Sequence, residues 1–439
     1  MKFISTNKEA DPVSFSMAAL QGLAPDGGLY IPAEWPTLSD SFINNIRDKS
    51  LQDIAFEVSR LFVDELDDVP LRKVVSSAIN FDAPLVQLGE CKYIQELFHG
   101  PTLAFKDFGA RFMSRIFSSL REQTDQDLVI LAATSGDTGS AVAQGFLGVD
   151  GIKVCLLYPS GKVSHIQEQQ LTTAGQNVTA LEVDGTFDDC QKMVKQAFSD
   201  TGLNEKLLLS SANSINIARL IPQMFYYFYA IAQLSSPMPP IFCVPSGNFG
   251  NLTAGLMAQK VGMPAAGFIA ATNANDVVPK YLQTGRFSPK TSERTISNAM
   301  DVGNPSNFDR ILTLFDGDHQ QMKKHIWGAS FSDSETRKAI QDVYRSKNYL
   351  MDPHTAVGYR AVQQYRLQNS GYFGENQSTP FVILSTAHPA KFGDVIEPVI
   401  DQEIAVPDRL AKCLEKEKQN IPLGAGYQDL KKWLLKEYG

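Results

Sequence analysis

Cysteine is scarce in this chain, and what there is lies scattered. The five thiols, Cys91, Cys155, Cys190, Cys243 and Cys413, are odd in number and form no CxxC pair. That pattern excludes a disulfide framework and a cysteine zinc site, and it fits a reduced, cytoplasmic setting. Cys155 and Cys243 fall inside apolar runs, where a buried thiol is expected. The six histidines form no HxxxH pair, so no metal is expected. No apolar run reaches membrane-spanning length, and the opening MKFISTNKEADPVSF lacks the apolar core of a signal peptide. Positive charge is not in excess either: 40 basic residues stand against 48 acidic ones, a formal net charge of -8. Neither nucleic acid nor membrane is therefore an expected partner, whereas a small anionic ligand needs only a local site. Two familiar phosphate signatures also fail. SGKVS at 160–164 lacks both the Ser or Thr after Lys162 and the glycine five residues before Gly161, so it is no P-loop. GAGYQD at 424–429 follows no strand-like run and has Asp429 where a dinucleotide fingerprint needs a small residue.

What is present is an α/β pattern. At 439 residues the chain is too long for one core, so two or more domains are expected. Residues 1–80 read as a separate small module, with the turn Pro25-Asp26-Gly27-Gly28 and the amphipathic stretch LQDIAFEVSRLFVDEL. Beyond it, apolar runs at 127–134, 152–159, 241–246, 265–272 and 381–387 alternate with amphipathic helical segments, which predicts parallel strands covered on both faces. The region 300–350 reads as helical.

Two of those runs lead into glycine loops and then into helices. DLVILAAT precedes SGDTGS (Ser135–Ser140), and IFCVP precedes SGNFGN (Ser246–Asn251). A strand, a small-residue loop and a helix start together aim free backbone N–H groups and the positive helix end at one point, which is an anion site. Two such loops point to a ligand, or ligand pair, with two anionic groups. A third polar cluster, SANSINIARLIPQ at 211–223, brings Asn213, Ser214, Asn216 and Arg219 together; it reads equally as a capped helix start or as a further oxyanion site.

LFHGPTLAFKDFGARF (97–112) places a single lysine, Lys106, among Phe98, Phe105, Phe108 and Phe112. A helix from about Ala104 puts Phe105, Phe108, Phe112 and Ile116 on one face, with Lys106 beside Gly109, Ala110 and Met113. The aromatic rings are expected to desolvate the amine and lower its pKa, and the small residues to leave room for a flat ring. Pyridoxal phosphate unites these parts: an aldehyde for Lys106, a phosphate for one glycine loop, and a bound amino acid whose carboxylate suits the other.

TLAFKDFGA resembles the lysine motif of the serine/threonine dehydratase group of fold type II pyridoxal-phosphate enzymes. GLAPDGGLYIP, FHGPTLAFKDFGARF, ATSGDTGSA, NSINIARL, VPSGNFGN and STAHPAKF, in that order over residues 14 to about 393, are similar to the threonine synthases of the bacterial and fungal type. This resemblance implies two parallel-sheet α/β domains of the tryptophan synthase β-like kind with a small N-terminal α+β module. The division expected is residues 1–80, a large cofactor-binding domain of 81–124 plus 216–439, and a small substrate domain of 125–215. It implies a carbon–oxygen lyase that converts O-phospho-L-homoserine and water to L-threonine and phosphate. Lys106 would be the Schiff-base lysine and the base that moves protons. Gly247, Asn248, Phe249, Gly250 and Asn251 would hold the cofactor phosphate, and Thr386 would place a hydroxyl at the pyridine nitrogen. Ser135, Gly136, Asp137 and Thr138 would bind the substrate's α-carboxylate end, and Asn213, Ser214 and Arg219 its phosphate.

Asp137 sits awkwardly in that scheme, because like charges repel. It is expected to turn aside, either to cap the following helix or to meet an ammonium group. The alternatives are a phospholyase on the same substrate, a serine/threonine dehydratase or β-replacement lyase, and a catalytically silent phospho-ligand binder. His99 and His388 read as pocket-lining or packing residues. A monomer is the expected assembly, with a homodimer as the alternative, and residues from about 125 to 215 are expected to move on ligand binding.

Overall fold

Apolar runs that begin and end abruptly at Gly, Ser, Asn and Pro form strands here, and the longer amphipathic stretches between them form helices. The computed structural model describes residues 1–120, 126–134 and 136–439. All five predicted runs are strands: Leu128–Ala133, Ile152–Pro159, Ile241–Pro245, Gly267–Thr272 and Phe381–Ser385. All but Lys153 of their residues are buried, as expected for parallel sheets with both faces covered. Cys155 and Cys243 lie buried in two of them, and burial pushes both thiols far up.

The strands divide between two sheets. A six-stranded sheet runs in the order Ile326–Ser330, Gly267–Thr272, Ile241–Pro245, Phe381–Ser385, Lys92–Glu96, Leu85–Gly89, and only its last pair is antiparallel. A wholly parallel five-stranded sheet runs Ile421–Gly424, Val178–Asp184, Ile152–Pro159, Leu128–Ala133, Leu208–Ser210. The strands Leu85–Gly89, Lys92–Glu96, Val178–Asp184 and Leu208–Ser210 are additions to the five predicted runs, and two departures from the sequence reading stand beside them. The region 300–350 contains, besides its helices, the edge strand Ile326–Ser330. The expected partition also places all of 216–439 with the large sheet, yet Ile421–Gly424 pairs with Val178–Asp184 of the small one. The C-terminal helix Tyr427–Tyr438 packs there too, burying Leu430 and Leu434 with Val194 and Ala197.

The N-terminal residues form an antiparallel pair, Phe3–Ser5 with Tyr30–Pro32, and the helices Phe15–Gln21, Leu51–Arg60 and Asp68–Ala78. The Pro25–Gly28 turn is organised by Asp26, whose carboxylate accepts from Ser5 Oγ and from the N–H groups of Gly28, Glu9 and Ala10. The fully buried Arg310 joins this module to the body: its guanidinium donates to Tyr30 O (2.9 Å), Asn307 Oδ1 (2.7 Å) and Ile215 O (2.5 Å). Among the described residues no helix is long and apolar enough to cross a membrane.

Candidate active site

Lys106 owes its position to backbone pairing. The segment leading to it is laced to the end of strand Phe381–Ser385: Leu97 N–H donates to Ser385 O, Phe105 N–H to Thr386 O, and His388 N–H to Leu103 O, each at 2.9–3.0 Å. The helix Lys106–Leu120 starts at that point. Its first turn is closed by Asp107, which accepts from Thr102 N–H and Thr102 Oγ1, both at 2.8 Å. Gly100 is needed here, since a Cβ would lie 2.4 Å from Asp107 Oδ2. Burial pushes the Asp107 carboxyl up to about 6, in spite of these donors.

Lys106 opens onto a cavity of about 610 Å³ between the two sheets. Both glycine loops reach it, as do Asn213, Ser214, Arg219 and Thr386. So do Leu23 of the N-terminal module and the stretch Asn298–Asn304. The amine makes no hydrogen bond or ion pair among the described residues. Burial lowers it to about 8, with the Asp137 carboxylate pulling upward and Arg219 and Lys391 pushing further down.

The aromatic walls expected around it are only partly there. Phe105 lines the cavity, its ring centroid 5.8 Å from the Lys106 amine. Phe108 and Phe112 turn into the core against Phe81, Tyr226 and Phe225 instead. Nor is there a ring-sized gap at Gly109 and Ala110. A Cβ on Gly109 would lie 2.9 Å from Arg219 O and 3.3 Å from Arg219 Nε, so this glycine admits Arg219 rather than a ligand. Ala110 packs against Gly145 in the same way.

In the second glycine loop, Phe249 takes a left-handed backbone (φ 60°) that turns strand into helix Gly250–Lys260. Gly247 touches the Asn298–Asn304 stretch so closely that a Cβ would meet Met300 Cα at 2.6 Å. Asn248 ties the loop on two sides, donating to Ser214 Oγ (2.8 Å) and accepting from Ser306 N–H (2.6 Å). Ser214 thereby stands beside this loop. Asn251 Oδ1 accepts from both Tyr226 and Tyr227 hydroxyls, at 2.8 and 2.9 Å.

In the first loop, Gly136, Asp137 and Thr138 line the cavity and begin helix Asp137–Phe146, while Ser135 lies outside the described residues. Asp137 meets an ammonium group, one of the two outcomes expected for it: Lys391 Nζ stands 2.5 Å from its Oδ1. Burial alone would raise this carboxyl, but Lys391 and Lys106 hold it well below the usual carboxylate range. Arg219 is buried beside Lys106, donates from Nη1 to Ala212 O (2.5 Å), and is brought down to about 10 by burial.

Three participants escaped the sequence reading. Lys391 sits inside the quoted STAHPAKF motif but carries no pattern that marks it. His354 lines the cavity and is fixed as one tautomer: Ala299 N–H donates to its Nε2 (3.2 Å), so its Nδ1–H donates to Asp352 Oδ1 (2.7 Å). Asp352 is fully buried, and its other partner Thr355 shares a 2.8 Å hydrogen bond with Ser385, next to Thr386. The signal was DPH at a helix start, where Asp352 caps Pro353–Gln368. Of the two histidines singled out, His99 pairs with Glu96 at 2.8 Å and His388 accepts from Ala390 N–H.

Comparison with known proteins decides the family. A family model described as pyridoxal-phosphate dependent enzyme matches residues 79–385, flanked by threonine synthase N terminus at 2–79 and threonine synthase, C-terminal, at 355–433. The threonine synthase of Serratia marcescens is 41% identical over 438 residues, 99% of each chain. The chain belongs to the threonine synthase family. The crystal structure of threonine synthase from Escherichia coli superposes with a TM-score of 0.92 at 39% identity, covering 99% of this chain and 100% of that one. A threonine synthase from Brucella melitensis, solved with pyridoxal phosphate bound, gives 0.91 at 34% identity, over 100% and 99% of the two chains. The fold is therefore that of fold type II pyridoxal-phosphate enzymes, and the chain is a pyridoxal-phosphate-dependent lyase of this family. The cavity suits that cofactor. One of its lining residues, Asn251, has a buried Nδ2 donor without a partner among the described residues, the Lys106 amine, lowered to about 8, faces it, and a helix start borders it on each side.

Proposed function

We propose that this cavity converts O-phospho-L-homoserine and water to L-threonine and phosphate, the last step of threonine formation. The observation that carries the proposal is convergence: one lysine of lowered basicity faces two helix-start glycine loops across a single cavity. Gly247, Asn248, Phe249, Gly250 and Asn251 would hold the cofactor phosphate, Lys106 would bind the cofactor aldehyde, and Thr386 would face the ring nitrogen. Pyridoxal phosphate, when bound, supplies an electron-accepting ring conjugated to the amino-acid Cα. Thr386 is a neutral partner there, so it does not force that nitrogen to stay protonated.

The substrate carries two anionic groups. Its α-carboxylate is assigned to the first glycine loop, Ser135, Gly136, Asp137 and Thr138, and its phosphate to Asn213, Ser214 and Arg219. Lys106 is the proton carrier: an amine near pKa 8 exists in both forms near neutral pH, so it removes and returns protons without a large energetic penalty for either form. The stretch Asn298–Asn304 borders the same cavity, tied to His354 through Ala299 N–H and packed against Gly247 through Met300. Residues 1–80, 81–124 plus 216–439, and 125–215 are assigned as module, large domain and small domain, with Ile421–Gly424 lying on the small sheet. The small domain is proposed to move on ligand binding, and the protein to act as a cytoplasmic monomer. The five free cysteines support a reduced compartment.

The test is product analysis. Purified holoenzyme given O-phospho-L-homoserine is expected to release phosphate and threonine in equal amounts. Phosphate with 2-oxobutyrate would make it a phospholyase, and no turnover would refute the proposal.

A further inference from the structure

Asp137, which lines the cavity, and Lys391 come from segments that follow strands of different sheets. Asp137 opens a helix behind strand Leu128–Ala133 of the five-stranded sheet, and Lys391 lies in the turn Pro389–Phe392 behind strand Phe381–Ser385 of the six-stranded one. Their side chains are 4% and 0% exposed and meet at 2.5 Å. Each is held by a further contact: Lys391 Nζ donates to Thr102 O (3.1 Å), and Gln167 Nε2 donates to Asp137 Oδ1 (3.2 Å).

A helix's first turn attracts anions, but a bare carboxylate within it would repel them. Burying a charge pair costs desolvation energy, and removing one partner leaves the other uncompensated. Those two facts give the pair a task that packing alone does not require. We propose that Lys391 is a positioning residue of the reaction: by pairing with Asp137 it neutralises the carboxylate of the SGDTG loop, so that the loop accepts the α-carboxylate of the substrate. The inference rests on the function proposed above. Lys391 touches neither the substrate nor the reacting atoms; it acts through Asp137.

A double-mutant cycle of charge-neutralising substitutions on the holoenzyme tests it, with kcat and KM for O-phospho-L-homoserine measured separately for wild type, Lys391→Met, Asp137→Asn and the double variant. Lys391→Met is expected to raise KM about tenfold or more, since an uncompensated carboxylate then faces the ligand. Adding Asp137→Asn should recover about fivefold or more of that loss. Asp137→Asn alone, an isosteric change, should lower KM about twofold or more, because the freed ammonium draws the anion in. A purely structural pair predicts the opposite: KM unchanged or raised in Asp137→Asn, and the double variant no better than Lys391→Met. Either result overturns the inference, and the Asp137→Asn arm decides it even if Lys391→Met does not fold. A wild-type enzyme inactive on this substrate would remove the proposed function and this inference together. An active wild type with the contrary variants would remove this inference alone.

Discussion

The depressed basicity of Lys106 gives the sharpest quantitative prediction. An ordinary lysine sits near 10.5, whereas burial brings Lys106 to about 8. That difference of about 2.5 pH units means about 300-fold more neutral amine at pH 7 than at an exposed lysine. The assay is competitive labelling of cofactor-stripped protein with trace acetic anhydride across pH 6–11, read lysine by lysine by mass spectrometry. Lys106 should titrate with a midpoint near 8. The neighbours fix the signs of the variants. Asp137→Asn removes an upward pull and should lower the midpoint, while Arg219→Ala removes a downward push and should raise it. The linkage to stability also has a definite sign. Between pH about 8 and 10.5 the unfolded chain carries a proton that the folded one lacks, so Lys106 opposes folding below that window and ceases to do so as pH rises through it. A midpoint above 10 for Lys106 would refute the reasoning, because the cavity would then not desolvate the amine.

Gly247→Ala drives a methyl against Met300 Cα, a clash with backbone that costs about 1–3 kcal/mol. Spectral titration of the stripped protein with pyridoxal phosphate should show affinity falling about 5- to 150-fold, and a change under twofold would place this loop elsewhere. Arg219→Ala should raise KM for O-phospho-L-homoserine about tenfold or more while the cofactor's absorbance stays in place; loss of the cofactor would show that Arg219 serves the other loop.

Much of the fold was legible because parallel strands are apolar on both faces. DLVILAAT and IKVCLLYP need no partner to be recognised. The strands that escaped are those with a polar side or an exposed edge. Ile326–Ser330 contains a glycine and only five residues, and Ile421–Gly424 is mostly exposed, so neither carries the pattern that burial imposes. The same logic separates what was read at the site from what was not. Glycine loops after strands mark themselves, since backbone geometry dictates their composition. Lys106 stood out because its surroundings were unusual, yet the cause first assigned was partly wrong: Phe108 and Phe112 serve the core, and Gly109 makes room for Arg219. Lys391 and His354 act through contacts between segments far apart in the chain, and local pattern carries no trace of such a pairing. Asp137 was legible as a problem, a carboxylate in a loop expected to bind a carboxylate, and the structure places the Lys391 ammonium beside it.

The central claim is that Lys106 is the amine on which the whole cavity converges. Borohydride reduction of the holoenzyme followed by peptide mapping tests it most directly. A single pyridoxyl group is expected, on Lys106 within the peptide around FKDFGAR. A label on Lys391 or any other lysine, or none at all, would contradict it.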